Sequence, residues 1–294
     1  MKSIGFVGLG IMGLPMAINM VGKTGHSVMG FDILEEKRKI FQENGGVSAN
    51  SVQEIYSKCD IIFICLPSNE LVKWTIQEII ETVGKEAVVV DFSSTAPDII
   101  REMYAKGKVK GIRLLDSPVS GGEAGAVAGT LAIMCGGDKE IFDEVKPLLL
   151  SVGSTVTYMG PAGCGSVAKL ANNMIVGCNI AAVSEGFAFA VKAGLDPEVL
   201  FNAIKDGFAG SAVMNAKIPK IISRDFEASA RIAVHQKDLK NALRLAEELR
   251  VEIPMSKMVL EYMNEMEAEG RINEDHCAIA RVYEKNMGIE IKKP

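Results

Sequence analysis

Lys169 and Asn173 stand four residues apart in the run Gly163-Cys164-Gly165-Ser166-Val167-Ala168-Lys169-Leu170-Ala171-Asn172-Asn173, at the opening of a long apolar helical segment. That spacing sets an ammonium and an amide on one helix face. A helix N-terminus is partially positive, so a cation in its opening turns is disfavoured and is expected to lose its proton more readily. A lysine poised in this way can act as a general acid/base near neutral pH, with the asparagine holding the amine or a substrate oxygen. Taken alone, the same lysine reads better as a solvated cation snorkelling from an interdomain helix, and it is the rest of the chain that reverses the preference.

A second cluster points to the reaction partner. Ser3-Ile4-Gly5-Phe6-Val7 reads as a buried strand, followed at once by Gly8-Leu9-Gly10-Ile11-Met12-Gly13 and a helix to about Lys23. In that context Gly8 permits a tight turn, Gly10 lets backbone approach a pyrophosphate, and Gly13 allows close helix packing, with the helix N-terminus facing the phosphates. A second strand, Ser27 to Phe31, ends in Asp32, 19 residues beyond Gly13, where a carboxylate would bind the adenosine ribose and repel a 2′-phosphate. NAD is therefore expected over NADP, a preference moderated by the nearby Lys37 and Arg38.

Stepping outward along the chain, apolar strands at Ile61–Cys65, Val88–Val90 and Ile112–Leu115 alternate with helical or loop segments, the pattern of a doubly wound parallel sheet. Leu66-Pro67-Ser68-Asn69, Ser93-Ser94-Thr95-Ala96-Pro97 and Asp116-Ser117-Pro118-Val119-Ser120-Gly121-Gly122 each follow a strand, on the edge where such sheets bind ligands. Ser68 and Thr95 individually suit plain turn chemistry. Ser120, Gly121 and Gly122 offer bare N–H groups and a hydroxyl to a carboxylate. Gly129 to Gly137, a helix from Lys139 to Leu150 and a strand at Thr155–Met159 complete a Rossmann domain over 1–163. From 164 to 294 helical periodicity dominates, giving an α/β chain with an all-α second domain joined by a long interdomain helix.

Val167 to Lys192 is apolar nearly all round, as for a helix buried between two domains or two subunits; a homo-oligomer, dimer or tetramer, is expected. Its most apolar stretch, Met174 to Val183, is too short to span a bilayer. Further helices are expected after Pro197, after Pro219, over Asp238–Leu249 and Met255–Glu269, and from a cap near Asp275 to Met287. Met255, Met258, Met263 and Met266 suit core or subunit contacts, Asp238 reads as a cap, and His276 lies beside another. Lys237 opens its helix as Lys169 does, either as an anion contact or as a solvated lysine.

Composition sets the frame. The 294 residues carry a net charge of −5 without long basic runs, which argues against nucleic acid or anionic membrane as partner. Six scattered cysteines without ligand spacing fit a reducing cytoplasm and give no metal site. No targeting segment is evident ahead of the first strand.

Together, Gly8 to Met16, Asp116 to Gly122, Gly129-Thr130-Leu131, Lys169 to Asn173 and Lys237-Asp238-Leu239 resemble the signature blocks of the β-hydroxyacid dehydrogenases. The segment Phe208 to Ala212 with His235 is similar to the branch that reduces tartronate semialdehyde (2-hydroxy-3-oxopropionate), whereas Phe31-Asp32 resembles the 2-hydroxymethylglutarate dehydrogenases. The resemblance implies a nicotinamide-dependent oxidoreductase interconverting a short carboxylated aldehyde and its hydroxyacid, with Lys169 as acid/base and Asn173 orienting it or binding substrate. It places the substrate carboxylate on Ser120, Gly121 and Gly122, with Gly210, Ser211 and His235 on the far wall. Leu66, Pro67, Ser94 and Lys237 would line the cofactor cleft. Ile33 stands where NADP-preferring members tend to carry arginine, which favours NAD. Activity on 3-hydroxyisobutyrate or 2-hydroxymethylglutarate is the near alternative; 6-phosphogluconate chemistry and a non-catalytic NAD-binding scaffold are the distant ones.

Overall fold

A computed structural model describes residues 2–83 and 86–293. The chain forms two compact units, Met1–Lys169 and Leu170–Pro294. In the first, strands and helices alternate as β1 (Ile4–Val7), α1 (Gly13–Thr24), β2 (Val28–Phe31), α2 (Glu35–Glu43), β3 (Val47–Ser48), α3 (Val52–Lys58), β4 (Ile61–Ile64), α4 (Asn69–Thr82), β5 (Ala87–Asp91), α5 (Pro97–Val109) and β6 (Ile112–Asp116). There follow β7 (Val119–Ser120), α6 (Gly122–Ala128), β8 (Leu131–Gly136), α7 (Lys139–Leu149) and β9 (Gly153–Gly160).

The central strands β1, β4 and β5 are nearly continuous apolar runs because both of their faces are covered. Phe6, Phe63 and Val90 enter one core beneath the sheet, while their neighbours Val7, Ile62, Ile64 and Val89 enter the other. On the first face Phe6, Phe63 and Phe92 form an aromatic row with centroids 5.3–6.2 Å apart; each such pair is worth about 0.5–1.5 kcal/mol beyond its buried area. The order β3-β2-β1-β4-β5-β6 is parallel throughout. Beyond it β8 runs antiparallel to β6 and β7, and β9 parallel to β8. The chain order reverses between β1 and β4, so the turns after these two strands flank the crevice where doubly wound sheets bind ligands.

The long helix α8 (Cys164–Lys192) has 29 residues, and the division between the units falls within it. The second unit continues with α9 (Pro197–Ile204), α10 (Ala212–Ile222), α11 (Ile232–Leu249), α12 (Pro254–Ala268), a 3₁₀ turn (His276–Ile279) and α13 (Ala280–Met287). Unlike its ten-residue centre, α8 as a whole is long and apolar enough to cross a membrane. Ile180, Phe187 and Ala188 instead pack into the core of the second unit with Ile218, Leu239 and Met263. Met263 and Met266 are buried there, whereas Met255 and Met258 are exposed.

Three helix starts differ from expectation. The α10 helix is capped by Ser211, whose hydroxyl accepts from Met214 N at 3.0 Å, and Pro219 lies inside it. The α11 helix begins six residues before Asp238, because the backbone carbonyls of Glu274 and Ile272 accept from Ile232 N and Ala233 N at 3.0 Å. Asp238 is therefore no cap. The start of α8 likewise depends on a distant partner, described below.

Candidate active site

The turn between β1 and α1 is shaped by backbone contacts. Gly8 has φ +94°, and a Cβ on it would lie 2.3 Å from the carbonyl oxygen of Cys65; one on Gly13 would lie 1.9 Å from that of Gly8. At Gly10 a Cβ would meet nothing within 4 Å. The outer glycines are thus fixed by the chain itself, and the middle one fronts open space. Leu9 is buried and Ile11 exposed on either side of it. Asp32, at the end of β2, accepts from Leu9 N at 2.8 Å and from Leu34 N at 2.9 Å. Two carboxylate oxygens carry about four lone-pair sites, so acceptor capacity is left for a ribose hydroxyl. Arg38 is drawn aside: it donates to the Asp32 carbonyl at 2.5 Å and stacks over Phe31.

The next two loops are tied together. Leu66 N donates to Ser93 Oγ at 2.8 Å, while Ser93 N and Thr95 Oγ1 donate to Asp91 at 2.8 and 2.6 Å. Asp91 is fully buried, and burial pushes its carboxyl up to about 6 against these hydrogen bonds. Pro67 is exposed and Ser94 half-buried on the same edge. Ser68 caps α4, accepting from Leu71 N at 3.2 Å, so both Ser68 and Thr95 serve the turns. Ser120 ends β7 half-buried, and Gly121 and Gly122 are exposed with φ +140° and +62°.

The placement of Lys169 depends on Asp116. This buried carboxylate, at the end of β6, accepts from Gly163 N at 2.9 Å and Ser166 N at 2.7 Å, and so caps α8 from 47 residues away. Burial pushes its carboxyl up against those same bonds. With the helix starting at Cys164, Lys169 is its sixth residue, in the second turn. The dipole is strongest over the first turn, and Lys169 stands one turn beyond it. Lys237 is likewise the sixth residue of α11.

In the second unit, Asn173 is the hub. Its Nδ2 donates to Asp238 Oδ2 at 2.5 Å, and its Oδ1 accepts from Asn172 Nδ2 at 2.9 Å. One Nδ2 hydrogen is left to face a ligand. Asp238 is buried, with Lys237 Nζ 3.3 Å from its other oxygen. His235 was expected on a substrate wall. It is instead buried, with Nε2 2.8 Å from the Asn173 carbonyl oxygen and Nδ1 2.9 Å from Nδ1 of His276. Gly210 and Ser211 shape the entry to α10, where a Cβ on Gly210 would lie 1.9 Å from Lys205 O.

Residues 3–160 match the family model described as the NAD binding domain of 6-phosphogluconate dehydrogenase, and residues 163–283 match that described as NAD-binding of NADP-dependent 3-hydroxyisobutyrate dehydrogenase. The chain is 38% identical over 284 residues to 2-hydroxy-3-oxopropionate reductase of Escherichia coli (strain K12), covering 96% of this chain and 97% of the relative. It is 35% identical over 292 residues to 2-(hydroxymethyl)glutarate dehydrogenase of Eubacterium barkeri, covering 98% and 97%. The chain belongs to the β-hydroxyacid dehydrogenases. Among solved structures, the Mycobacterium tuberculosis 3-hydroxyisobutyrate dehydrogenase with L-serine aligns with a TM-score of 0.88 at 29% identity, covering 96% of this chain and 99% of that one.

This β-hydroxyacid dehydrogenase is an NAD(P)-dependent oxidoreductase acting on a small hydroxyacid or semialdehyde. The described residues fit a dinucleotide: a Cβ at Gly10 would meet nothing within 4 Å, which leaves room for a pyrophosphate, and Asp32 keeps acceptor capacity that a ribose hydroxyl could use. Missed in the sequence were the buried carboxylates that tie these segments together within each unit: Asp91 and Asp116 in the first, Asp238 in the second. The sequence signal available for the first two was a carboxylate ending a strand that is wholly apolar before Asp91 and apolar but for Arg113 before Asp116.

Proposed function

We propose that this dehydrogenase reduces 2-hydroxy-3-oxopropionate to glycerate with NADH, using Lys169 as proton donor. The observation that carries the assignment of Lys169 is the Asp116 cap, which fixes the start of its helix to the end of β6, on the strand edge that also bears the Gly8–Gly13 turn. The substrate class is supported by the 38% identity to the E. coli reductase over nearly the full length of both chains.

The first unit would hold the nucleotide through Gly8 to Gly13, Asp32 and the loops of Leu66, Pro67 and Ser94. The nicotinamide, when bound, supplies hydride to the aldehyde carbon. Lys169 Nζ gives a proton to the carbonyl oxygen and takes it back in the oxidative direction. Ser120 Oγ and the N–H groups of Gly121 and Gly122 bind the substrate carboxylate, using donors that cost little to reorganise. Asn173 follows Lys169 by one turn of α8 and turns its remaining amide hydrogen to a substrate oxygen. Asp238 orients that amide, and Lys237 balances the Asp238 charge. Gly210 and Ser211 are assigned to the substrate side. Free thiols throughout the described residues support a reducing cytoplasm.

A second reading, oxidation of a longer branched hydroxyacid, draws on the Phe31-Asp32 strand end and the 35% identity to the E. barkeri enzyme. Initial rates over C3 to C6 semialdehydes and hydroxyacids with both nicotinamides separate the two. The highest kcat/KM should fall on 2-hydroxy-3-oxopropionate with NADH. A higher value on 2-(hydroxymethyl)glutarate would transfer the assignment to the second reading, and equal use of NADPH would remove the cofactor preference. Lys169→Ala should fold, bind NADH and lose roughly 10²–10⁴ in single-turnover hydride transfer, the range of a positioned acid/base. An alanine variant within a few-fold of the parent would return Lys169 to the solvated surface.

A further inference from the structure

Gly177 lies inside α8, where glycine costs about 0.5–1 kcal/mol relative to alanine. Its backbone is not left-handed, so no turn demands it. What demands it is a neighbour: a Cβ there would lie 3.2 Å from His235 Nε2 and 3.2 Å from Val259 Cγ1. The missing side chain leaves a notch through which His235 reaches the helix backbone, at the carbonyl oxygen of Asn173. That is the same oxygen which, by helix geometry, accepts from the Gly177 amide.

The hydrogen-bond roles follow from the atoms. A carbonyl oxygen only accepts, so His235 Nε2 carries hydrogen. When both imidazoles are neutral, His235 Nδ1 is then an acceptor, and His276 Nδ1, 2.9 Å away, must be the donor. His276 is thereby held in the Nδ1–H tautomer, the minor one for a free imidazole side chain. Its position is set firmly: its own amide donates to Ala230 O at 2.8 Å, and the preceding residue, Asp275, is fully buried. Asp275 accepts from Lys217 Nζ at 2.9 Å, Ser229 Oγ at 2.8 Å and Cys277 N at 3.1 Å. Burial opposes ionisation of Asp275, yet His276 in its protonated form, with Nε2 3.9 Å from Oδ1, and the Lys217 ammonium hold its carboxyl well below the usual carboxylate range.

We propose that His235 and His276 form a two-imidazole strut, socketed at Gly177, that fixes the main chain of Asn173 while Asp238 fixes its side chain. His235 and Asp238 are three residues apart on one face of α11, so a single helix holds one residue at two points. Both histidines are positioning residues, and their role rests on the assignment of Asn173 made above.

The chain has three histidines, so a long-range ¹H–¹⁵N correlation spectrum of the ¹⁵N-histidine-labelled full-length protein at alkaline pH resolves each ring. Signals are assigned with His26→Gln and His276→Asn. The strut requires His235 as the Nε2–H tautomer and His276 as the Nδ1–H tautomer. Either ring in the opposite tautomer overturns it. In kinetics, His276→Asn offers an amide hydrogen in place of Nδ1–H and should keep kcat within a few-fold. His276→Leu and Gly177→Ala should lower kcat about tenfold or more with KM for NADH unmoved, as displacement of a substrate-positioning group does. A merely structural role would lower the melting temperature of His276→Asn and His276→Leu alike and leave kcat per folded molecule unchanged. Asn173→Ala, run alongside, separates the two levels. Full activity in Asn173→Ala overturns the function given to Asn173 and hence to the strut. A slow Asn173→Ala beside a fully active, folded Gly177→Ala overturns the strut alone.

Discussion

Asp91 is a charge that the fold holds against its own burial. Its carboxyl is fully buried, accepts from Ser93 N and Thr95 Oγ1, and is pushed by burial from an ordinary 3.8 up to about 6. The folded protein therefore binds this proton more tightly than the unfolded chain. Its contribution to stability is fully present below about pH 3.8 and is lost as the pH rises through 6. With 1.36 kcal/mol for each tenfold change, ionised Asp91 costs up to about 3 kcal/mol at pH 7 and above. Asp91→Asn keeps an acceptor for Ser93 N and presents an amide that the Thr95 hydroxyl can turn to accept. It should therefore be more stable than the parent at pH 8, and the gain should vanish toward pH 4. Asp91→Ala leaves the Ser93 amide without a partner and should be less stable at both. The assay is urea unfolding of the ligand-free protein between pH 4.5 and 8. It is followed by fluorescence of the single tryptophan, Trp74 on α4, which reports the unit containing Asp91. An equal loss of stability in Asp91→Asn at pH 5 and pH 8 would refute the reasoning, because a lost hydrogen bond and not a relieved charge would then dominate.

Three further outcomes follow from the site. Asp116→Ala strips two buried amides at the head of α8 of their acceptor and should cost about 2–4 kcal/mol, with kcat falling alongside; unchanged unfolding in the same tryptophan assay would show that the helix start needs no cap. Asp32→Ala should reduce the preference for NADH over NADPH and, because Leu9 and Leu34 lose an acceptor, lower stability by about 1–2 kcal/mol; an intact preference in steady-state kinetics would relocate cofactor selection. Gly122→Val puts a β-branched side chain at φ +62°, so KM for the semialdehyde should rise well before NADH affinity, measured by fluorescence titration, changes. Normal turnover in that variant would place the carboxylate elsewhere.

The sheet was readable because its strands are buried on both faces and its first turn carries three glycines at fixed spacing. That Lys169 and Asn173 share one helix was readable because helix periodicity alone sets their spacing. What escaped was everything held by a distant partner. Asp116 caps α8 across 47 residues, and the carbonyls of Glu274 and Ile272 start α11, so both helices begin before their local signals. Those earlier starts moved Lys169 and Lys237 off the first turn and turned Asp238 from a supposed cap into the buried partner of Asn173. His235 looked like a pocket residue because nothing near it in sequence announces His276, 41 residues on.

The turn after β1 also separates two histories. Gly8 and Gly13 are demanded by neighbouring carbonyl oxygens whether or not any nucleotide is present, while a Cβ at Gly10 would meet nothing within 4 Å beyond its own chain neighbours. A descendant of this fold that gave up its cofactor would have to keep the outer pair and would be free to lose the middle one. Drift at position 10 beside constancy at 8 and 13 is therefore the mark such a lineage would carry, legible in one residue long after the activity had gone.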